Sequence, residues 1–187
     1  MTTHTFDIVV LGGGSGGYAA ALRASELGKS VALIEKDKVG GTCLHRGCIP
    51  TKALLHAAEV ADHVRDAASV GVTATLTGID PVGVRTYREG IVAKKFKGLE
   101  GLVKARGITT VAGTGRLNAD RTVSVGDDIY AGTDVVLATG SYSRTLPGLE
   151  ISGRIITSEQ ALALDVIPER VLILGGGVIG VEFASVW

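Results

Sequence analysis

The sequence predicts an α/β fold in which parallel strands alternate with helices, extended by an antiparallel meander and followed by the start of a second unit of the same kind. Three observations lead there: a strand, glycine-cluster and helix pattern at the N-terminus, the return of that pattern near residue 175, and 27 glycines in 187 residues. That many glycines exceeds what an ordinary core uses and is natural where backbone must approach a ligand closely. The rest of the composition is that of a globular protein, 45% hydrophobic, 20% charged and 4% aromatic. Nineteen Lys and Arg balance nineteen Asp and Glu, so no net field draws nucleic acid or an anionic membrane.

Phe6 to Leu11 is short, β-branched and followed at once by glycines, the pattern of a buried strand. Gly16 to Leu27 carries an alanine-rich helical pattern, with Gly28 where a helix-terminating glycine belongs. Ser30 to Glu35 is the second strand, and strand–helix–strand at this spacing implies parallel pairing with a right-handed crossover. Ile49, Ala53, Ala57, Val60 and Val64 form an apolar stripe at the helical period. Another helix is predicted over Tyr87 to Lys104, burying Ile91, Phe96, Leu99 and Leu102. Thr109 to Val136 reads as an antiparallel meander with turns at Asn118–Asp120 and Gly126–Asp128, and Val135 to Ala138 as the strand after it. Pro147 to Ser158 is a connector, and Arg170 to Leu174 opens a new strand. These elements predict one domain over 1–146, and a connector with the beginning of a second domain over 147–187.

Gly12-Gly13-Gly14-Ser15-Gly16-Gly17 satisfies G-x-G-x-x-G between a strand and a helix. There the first glycine allows a tight turn, the second admits a pyrophosphate, and the third lets helix and strand pack closely. The helix N-terminus adds amide donors. Glu35, 23 positions beyond Gly12, ends the next strand where a ribose-binding acid belongs. The motif returns as Gly175-Gly176-Gly177-Val178-Ile179-Gly180. Two such motifs suggest two dinucleotides, which suits passage of electrons between a flavin and a nicotinamide. The chain stops seven residues after Gly180 (187 − 180). The expectation is a piece of a longer protein, with little or no dehydrogenase activity by itself.

Two cysteines, no secretory or transit pattern and no bilayer-length apolar stretch lead to the expectation of a cytoplasmic, reducing location. Cys43 and Cys48 stand in a C-x4-C arrangement. Five helical residues rise about 7.5 Å, whereas disulfide-linked Cα atoms lie within about 4.4–6.8 Å. A bridge therefore cannot lie on regular helix, and Gly47 is placed to let the chain curl. The following helix is expected to begin near Ile49 with Pro50 in its first turn. Cys48 then sits at the helix N-terminus, where the dipole favours a thiolate, and Lys52 shares its face. Cys43, outside the helix, is expected to be the more exposed sulfur and to exchange with substrate, while Cys48 faces the flavin. Two unrelated buried cysteines remain an open alternative. So does a zinc site built from Cys43, His45, Cys48 and His56, although it lacks paired knuckles.

The run from Gly40 through Thr42, Cys43 and Cys48 to Lys52, preceded by the glycine motif and Glu35-Lys36, resembles the class I pyridine nucleotide-disulfide oxidoreductases. Lys52–His56, Ala138–Ser141 and Gly175–Glu182 look most like the dihydrolipoamide dehydrogenase branch. Glutathione, mercuric and mycothione reductases share parts of the pattern. The resemblance implies a Rossmann-like FAD-binding domain followed by the start of a Rossmann-like NAD-binding domain. It implies that Gly12, Gly14 and Gly17 bind the FAD pyrophosphate and Glu35 its ribose. Lys36, Thr42, Lys52, Gly115, Thr139, Gly140 and Ser141 complete the FAD site, and Gly175, Gly177 and Gly180 bind NAD. The catalytic group it implies is Cys43, Cys48, Lys52 and Glu182, with Lys52 paired to Glu182 beside the flavin ring.

The implied reaction oxidises dihydrolipoamide, carried on the lipoyl-bearing acyltransferase of 2-oxo acid dehydrogenase complexes, through the disulfide and FAD to NAD+. The resemblance also implies a homodimer for the full-length protein, with a His–Glu base outside this chain, and no metal, nucleic acid or membrane. A related NAD(P)H-dependent reductase and a non-catalytic FAD-binding redox module are the alternatives.

Overall fold

The computed structural model describes residues 2–187; Met1, where the predicted first domain begins, lies outside the described residues. The order of elements is β1 (Thr3–Leu11), α1 (Ser15–Glu26), β2 (Val31–Glu35), α2 (Gly41–Arg46), α3 (Cys48–Asp66), α4 (Pro81–Ala105), β3 (Thr109–Ala112), β4 (Gly115–Leu117), β5 (Val123–Val125), β6 (Asp128–Leu137), α5 (Ser158–Leu162) and α6 (Val178–Val186). The predicted α/β class is the one observed. No helix among the described residues is long and apolar enough to cross a membrane.

The six strands form one sheet in the order β3-β2-β1-β6-β5-β4. β3, β2, β1 and β6 run parallel, and β5 and β4 pair antiparallel beyond β6. This corrects the predicted meander in two places. β3 leaves it to pair with β2, and the strand expected at Val135–Ala138 is the far end of the ten-residue β6. β6 is long enough to serve both neighbours: Ile129 and Tyr130 pair with β5 and also with β1, and the rest continues along β1.

The chain divides into two compact units, one of Met1–His45 and Lys94–Tyr142, the other of Arg46–Ala93 and Ser143–Trp187. In the first, β1 and β2 are buried on both faces, as a central parallel strand must be. Val10 and Leu33 pack with Ala21 and Ala24 of α1 and with Val103 on one face, and Val9, Leu11, Ala32 and Ile34 pack with Val123 and Tyr130 on the other. In the second, Ala161, Leu162 and Phe183 form a small core with Leu54, Ile173 and Trp187.

Three further expectations need correcting. α4 begins at Pro81, six residues before the predicted start at Tyr87 (87 − 81), with proline in the first helical position that suits it. On α3 and α4 the predicted stripes miss at one position each, Val60 and Leu102 being exposed while Ala61 and Val103 are buried; the predicted Ala53 is buried. The strand expected at Arg170–Leu174 is irregular backbone, with Leu172 88% exposed. No strand among the described residues pairs with it, and an unpaired strand has no ladder to hold it.

Candidate functional site

In the first unit the glycine loop shows why each glycine of the motif is there. Gly12 has φ +107° and donates its N–H to the Ile34 carbonyl at 2.8 Å. A Cβ on Gly17 would stand 1.8 Å from the Gly12 carbonyl oxygen, so α1 can approach β1 only through glycine. Gly14 differs, because its Cβ would meet nothing nearer than the Gly41 Cα at 4.0 Å, and its φ of −69° suits any residue. Its openness serves no packing of the chain itself. Gly14 also caps α1, which has neither a side-chain cap nor an acid in its first turn. The amides there are available to an anion. Open backbone, unclaimed donors and a carboxylate at the adjacent strand end fit the pyrophosphate and ribose of FAD.

That carboxylate is Glu35. Its Oε2 accepts from the Gly13 amide at 2.6 Å and its Oε1 from the Asp37 amide at 2.9 Å, which fixes the acid beside the loop. Lys36 lies with its Nζ 5.8 Å from the centre of the Tyr142 ring. Thr139, Gly140 and Ser141 leave β6 as exposed chain, and the Ala138 amide donates to the Leu11 carbonyl at 2.8 Å, so this segment emerges beside Gly12. Gly115 has a packing reason of its own: a Cβ there would strike Leu11 at 2.4 Å and Ile34 at 2.9 Å.

Sequence reasoning missed the role of Gly40 and Gly41. The Gly40 amide donates to the Gly13 carbonyl at 2.8 Å, and Gly41, at φ +57°, would place a Cβ 2.7 Å from the Gly14 Cα. The pair seats the start of α2, and with it Thr42 and Cys43, directly on the glycine loop. The available signal was two consecutive glycines ahead of the first cysteine. Cys43 therefore lies inside a short helix rather than outside one. His45 has its Nε2 3.0 Å from the Val39 carbonyl and its ring edge-on to Phe96.

In the second unit α3 begins at Cys48, as the dipole argument requires, with Gly47 as its cap. The Thr51 amide and hydroxyl both donate to the Gly47 carbonyl, at 3.0 and 2.7 Å. Cys48 is exposed and Cys43 half-buried, the reverse of the expected order, because seating α2 buries Leu44 and partly covers Cys43. Both cysteines are thiols here. Lys52, one turn after Cys48, donates to Glu182 of α6, so these two predicted residues do come together. The second glycine motif repeats the steric logic of the first. Gly175 has φ +114°, a Cβ on Gly180 would stand 2.1 Å from the Gly175 carbonyl oxygen, and Gly177 is open. His56 lies 3.2 Å from Glu59 and beside Tyr87. Among the described residues no group of His, Cys, Asp and Glu has the geometry to hold a metal.

Residues 6–187 match the family model described as pyridine nucleotide-disulphide oxidoreductase. Dihydrolipoyl dehydrogenase of Bacillus subtilis is 41% identical over 194 residues, covering 96% of this chain and 41% of that protein. Dihydrolipoyl dehydrogenase of Chlamydia pneumoniae is 43% identical over 188 residues, covering 99% and 41%. The crystal structure of LpdA from Mycobacterium tuberculosis superposes with a TM-score of 0.82 at 26% identity, over 100% of this chain and 42% of that one. The chain thus spans about two fifths of the length of the relatives it matches.

Proposed function

The chain belongs to the pyridine nucleotide-disulphide oxidoreductase family, and from that premise we propose that it supplies the FAD-binding, disulfide-bearing part of a dihydrolipoyl dehydrogenase. The observation that carries this reading is the seating of Gly40 and Gly41 on Gly13 and Gly14, which ties the first cysteine to the dinucleotide loop. Bound FAD supplies reversible two-electron chemistry, with NAD+ as the final hydride acceptor. The loop amides, with Gly12, Gly14 and Gly17, hold the pyrophosphate, and Glu35 takes the ribose hydroxyls. Lys36, Thr42, Gly115 and Thr139 to Ser141 complete the FAD site, and Gly175, Gly177 and Gly180 receive NAD.

The thiol chemistry follows from the positions of the two sulfurs. In the oxidised enzyme Cys43 and Cys48 are bonded. A substrate thiolate attacks Cys43, the S–S bond breaks, and Cys48 leaves as a thiolate at the head of α3, where the helix dipole favours negative charge. The second substrate thiol then attacks the mixed disulfide and releases Cys43, giving up its proton to a base. The substrate ends as a disulfide and, once the base returns that proton to Cys43, the protein holds two electrons as a Cys43 thiol and a Cys48 thiolate. The Lys52–Glu182 pair fixes the orientation of α3 against α6 during this exchange.

We place the reaction in the cytoplasm, with a lipoyl-bearing acyltransferase as partner and a homodimer as the working form. The domains of that protein would fall at 1–146 for FAD and from 147 onward for connector and NAD. The test is dihydrolipoamide-dependent NAD+ reduction by the full-length enzyme. Cys43→Ser and Cys48→Ser should each lower it at least a thousandfold while FAD stays bound. Turnover surviving in either variant would overturn the reading.

A further inference from the structure

We propose that Arg46 is a positioning charge that sets how easily the Cys43–Cys48 pair is reduced, and that Glu159 offsets part of that charge. The proposal rests on the reading that these cysteines form the redox pair. Arg46 ends α2 and Cys48 begins α3, with only Gly47 between them. Two Cα–Cα steps of about 3.8 Å place their backbones within about 7.6 Å of each other, inside the screening length of about 8 Å at physiological salt. An arginine there is charged at any working pH.

Glu159 is an anion that meets it, with Oε1 3.3 Å from Arg46 Nη1. Its position does not depend on the redox segment. α5, which carries it, opens with a capping box between Thr157 and Gln160. The buried Arg88 donates to the Leu162 carbonyl at the other end, and Ala161 and Leu162 pack on Phe183. The acid is thus presented from a helix held by contacts outside the Cys43–Cys48 segment, Leu54 of α3 among them. One turn into α3, Lys52 has its own anion in Glu182. Arg46 is therefore the charge nearest Cys48 in sequence, and Glu159 moderates it.

The electron balance gives the sign. Reduction of the disulfide takes two electrons and one proton, leaving a thiol at Cys43 and a thiolate at Cys48. One negative charge appears two residues from Arg46, so the cation favours the reduced form and Glu159 opposes it. A purely mechanical clamp behaves otherwise, because losing either partner loosens the same contact and both losses act in the same direction. The side chains are 45% and 58% exposed, so water weakens the effect. About threefold in the reduction equilibrium is expected for each partner, which is about 14 mV for a two-electron couple.

The experiment equilibrates the full-length flavoenzyme against glutathione buffers and measures alkylated Cys43 and Cys48 by mass spectrometry. R46Q should make the pair about threefold harder to reduce, E159Q about threefold easier, and R46K should behave as wild type. Shifts in the same direction, or no shift in either glutamine variant, would overturn the proposal and leave the redox pair standing. Absence of any two-electron thiol couple in the wild-type enzyme would overturn the redox pair itself and the proposal with it.

Discussion

Replacing the glycines of the first loop one at a time separates what the loop does for the fold from what it does for a ligand. A methyl group on Gly17 would stand 1.8 Å from the Gly12 carbonyl oxygen, where ordinary contact begins at 3.4 Å, so α1 must retreat by about 1.6 Å (3.4 − 1.8). Overpacking of this kind costs about 1–3 kcal/mol. Alanine returns about 1 kcal/mol over glycine as a helix former, leaving Gly17→Ala less stable by up to about 2 kcal/mol. Gly16, one residue before it, has nothing within 4 Å of its Cβ position. Gly16→Ala should therefore gain up to about 1 kcal/mol.

Gly14→Ala meets only the Gly41 Cα at 4.0 Å, and its weaker capping costs less than about 1 kcal/mol. The methyl does intrude where a pyrophosphate would lie. Losing one charge-assisted hydrogen bond, at about 1.5–3 kcal/mol, weakens FAD by about ten- to a hundredfold. Urea unfolding of the full-length apoprotein gives the stabilities, and FAD titration followed by flavin fluorescence gives the affinities. Wild-type FAD affinity in Gly14→Ala would refute the cofactor reading of the loop. Destabilisation of Gly16→Ala by more than 1 kcal/mol would refute the packing account.

Glu182→Gln removes the anion facing Lys52 and should lower turnover of the full-length enzyme at least tenfold with FAD affinity within about twofold, since that pair lies outside the glycine loop. A parallel loss of FAD would contradict this. Hydrogen bonds to Asp7 from the Ser30 amide and hydroxyl, both 2.7 Å, hold its carboxyl below the usual 3.8 against a smaller opposing effect of desolvation. A carboxylate depressed in the folded state stabilises above its unfolded pKa, and that contribution disappears as pH falls through the folded value. Asp7→Asn should therefore lower the urea midpoint at neutral pH and flatten its decline below pH about 4. An unchanged acid slope would show that Asp7 is not coupled to folding.

What could be read from the sequence was local. β1, α1 and β2 follow from a β-branched run, a glycine cluster and an alanine-rich period, each carried by a few adjacent residues. A start of α3 near Ile49, observed one residue earlier at Cys48, followed from Gly47, Pro50 and the geometry of a C-x4-C pair. Pairing of distant strands carried no such signal, and the sense of β3 depends on Ala32 meeting Thr109. The irregular backbone at Arg170–Leu174 makes the same point, because a strand is a relation between segments and not a property of one. The single missed positions on α3 and α4 have a different origin. Apolar residues adjoin one another at Val60-Ala61 and Leu102-Val103, and a 3.6-residue period does not choose between neighbours. Exposure of the two sulfurs was misjudged because α2 is only six residues long and is held by glycines, which leave no apolar trace.

The register of β6 against β1 limits how this chain can change in length. The two strands match from Thr3–Ile129 to Leu11–Leu137, so the glycine loop and the Thr139–Ser141 segment depart side by side because the paired stretches of β1 and β6 have equal length. One residue inserted within β6 would advance that segment by about 3.3 Å and turn each following side chain to the opposite face. One residue inserted at the Gly126-Asp127 turn would alter only the hairpin tip. Single-residue insertions are therefore tolerable at the Gly126–Asp127 turn and intolerable between Asp128 and Ala138, and a library of such insertions scored for retained flavin should show that boundary.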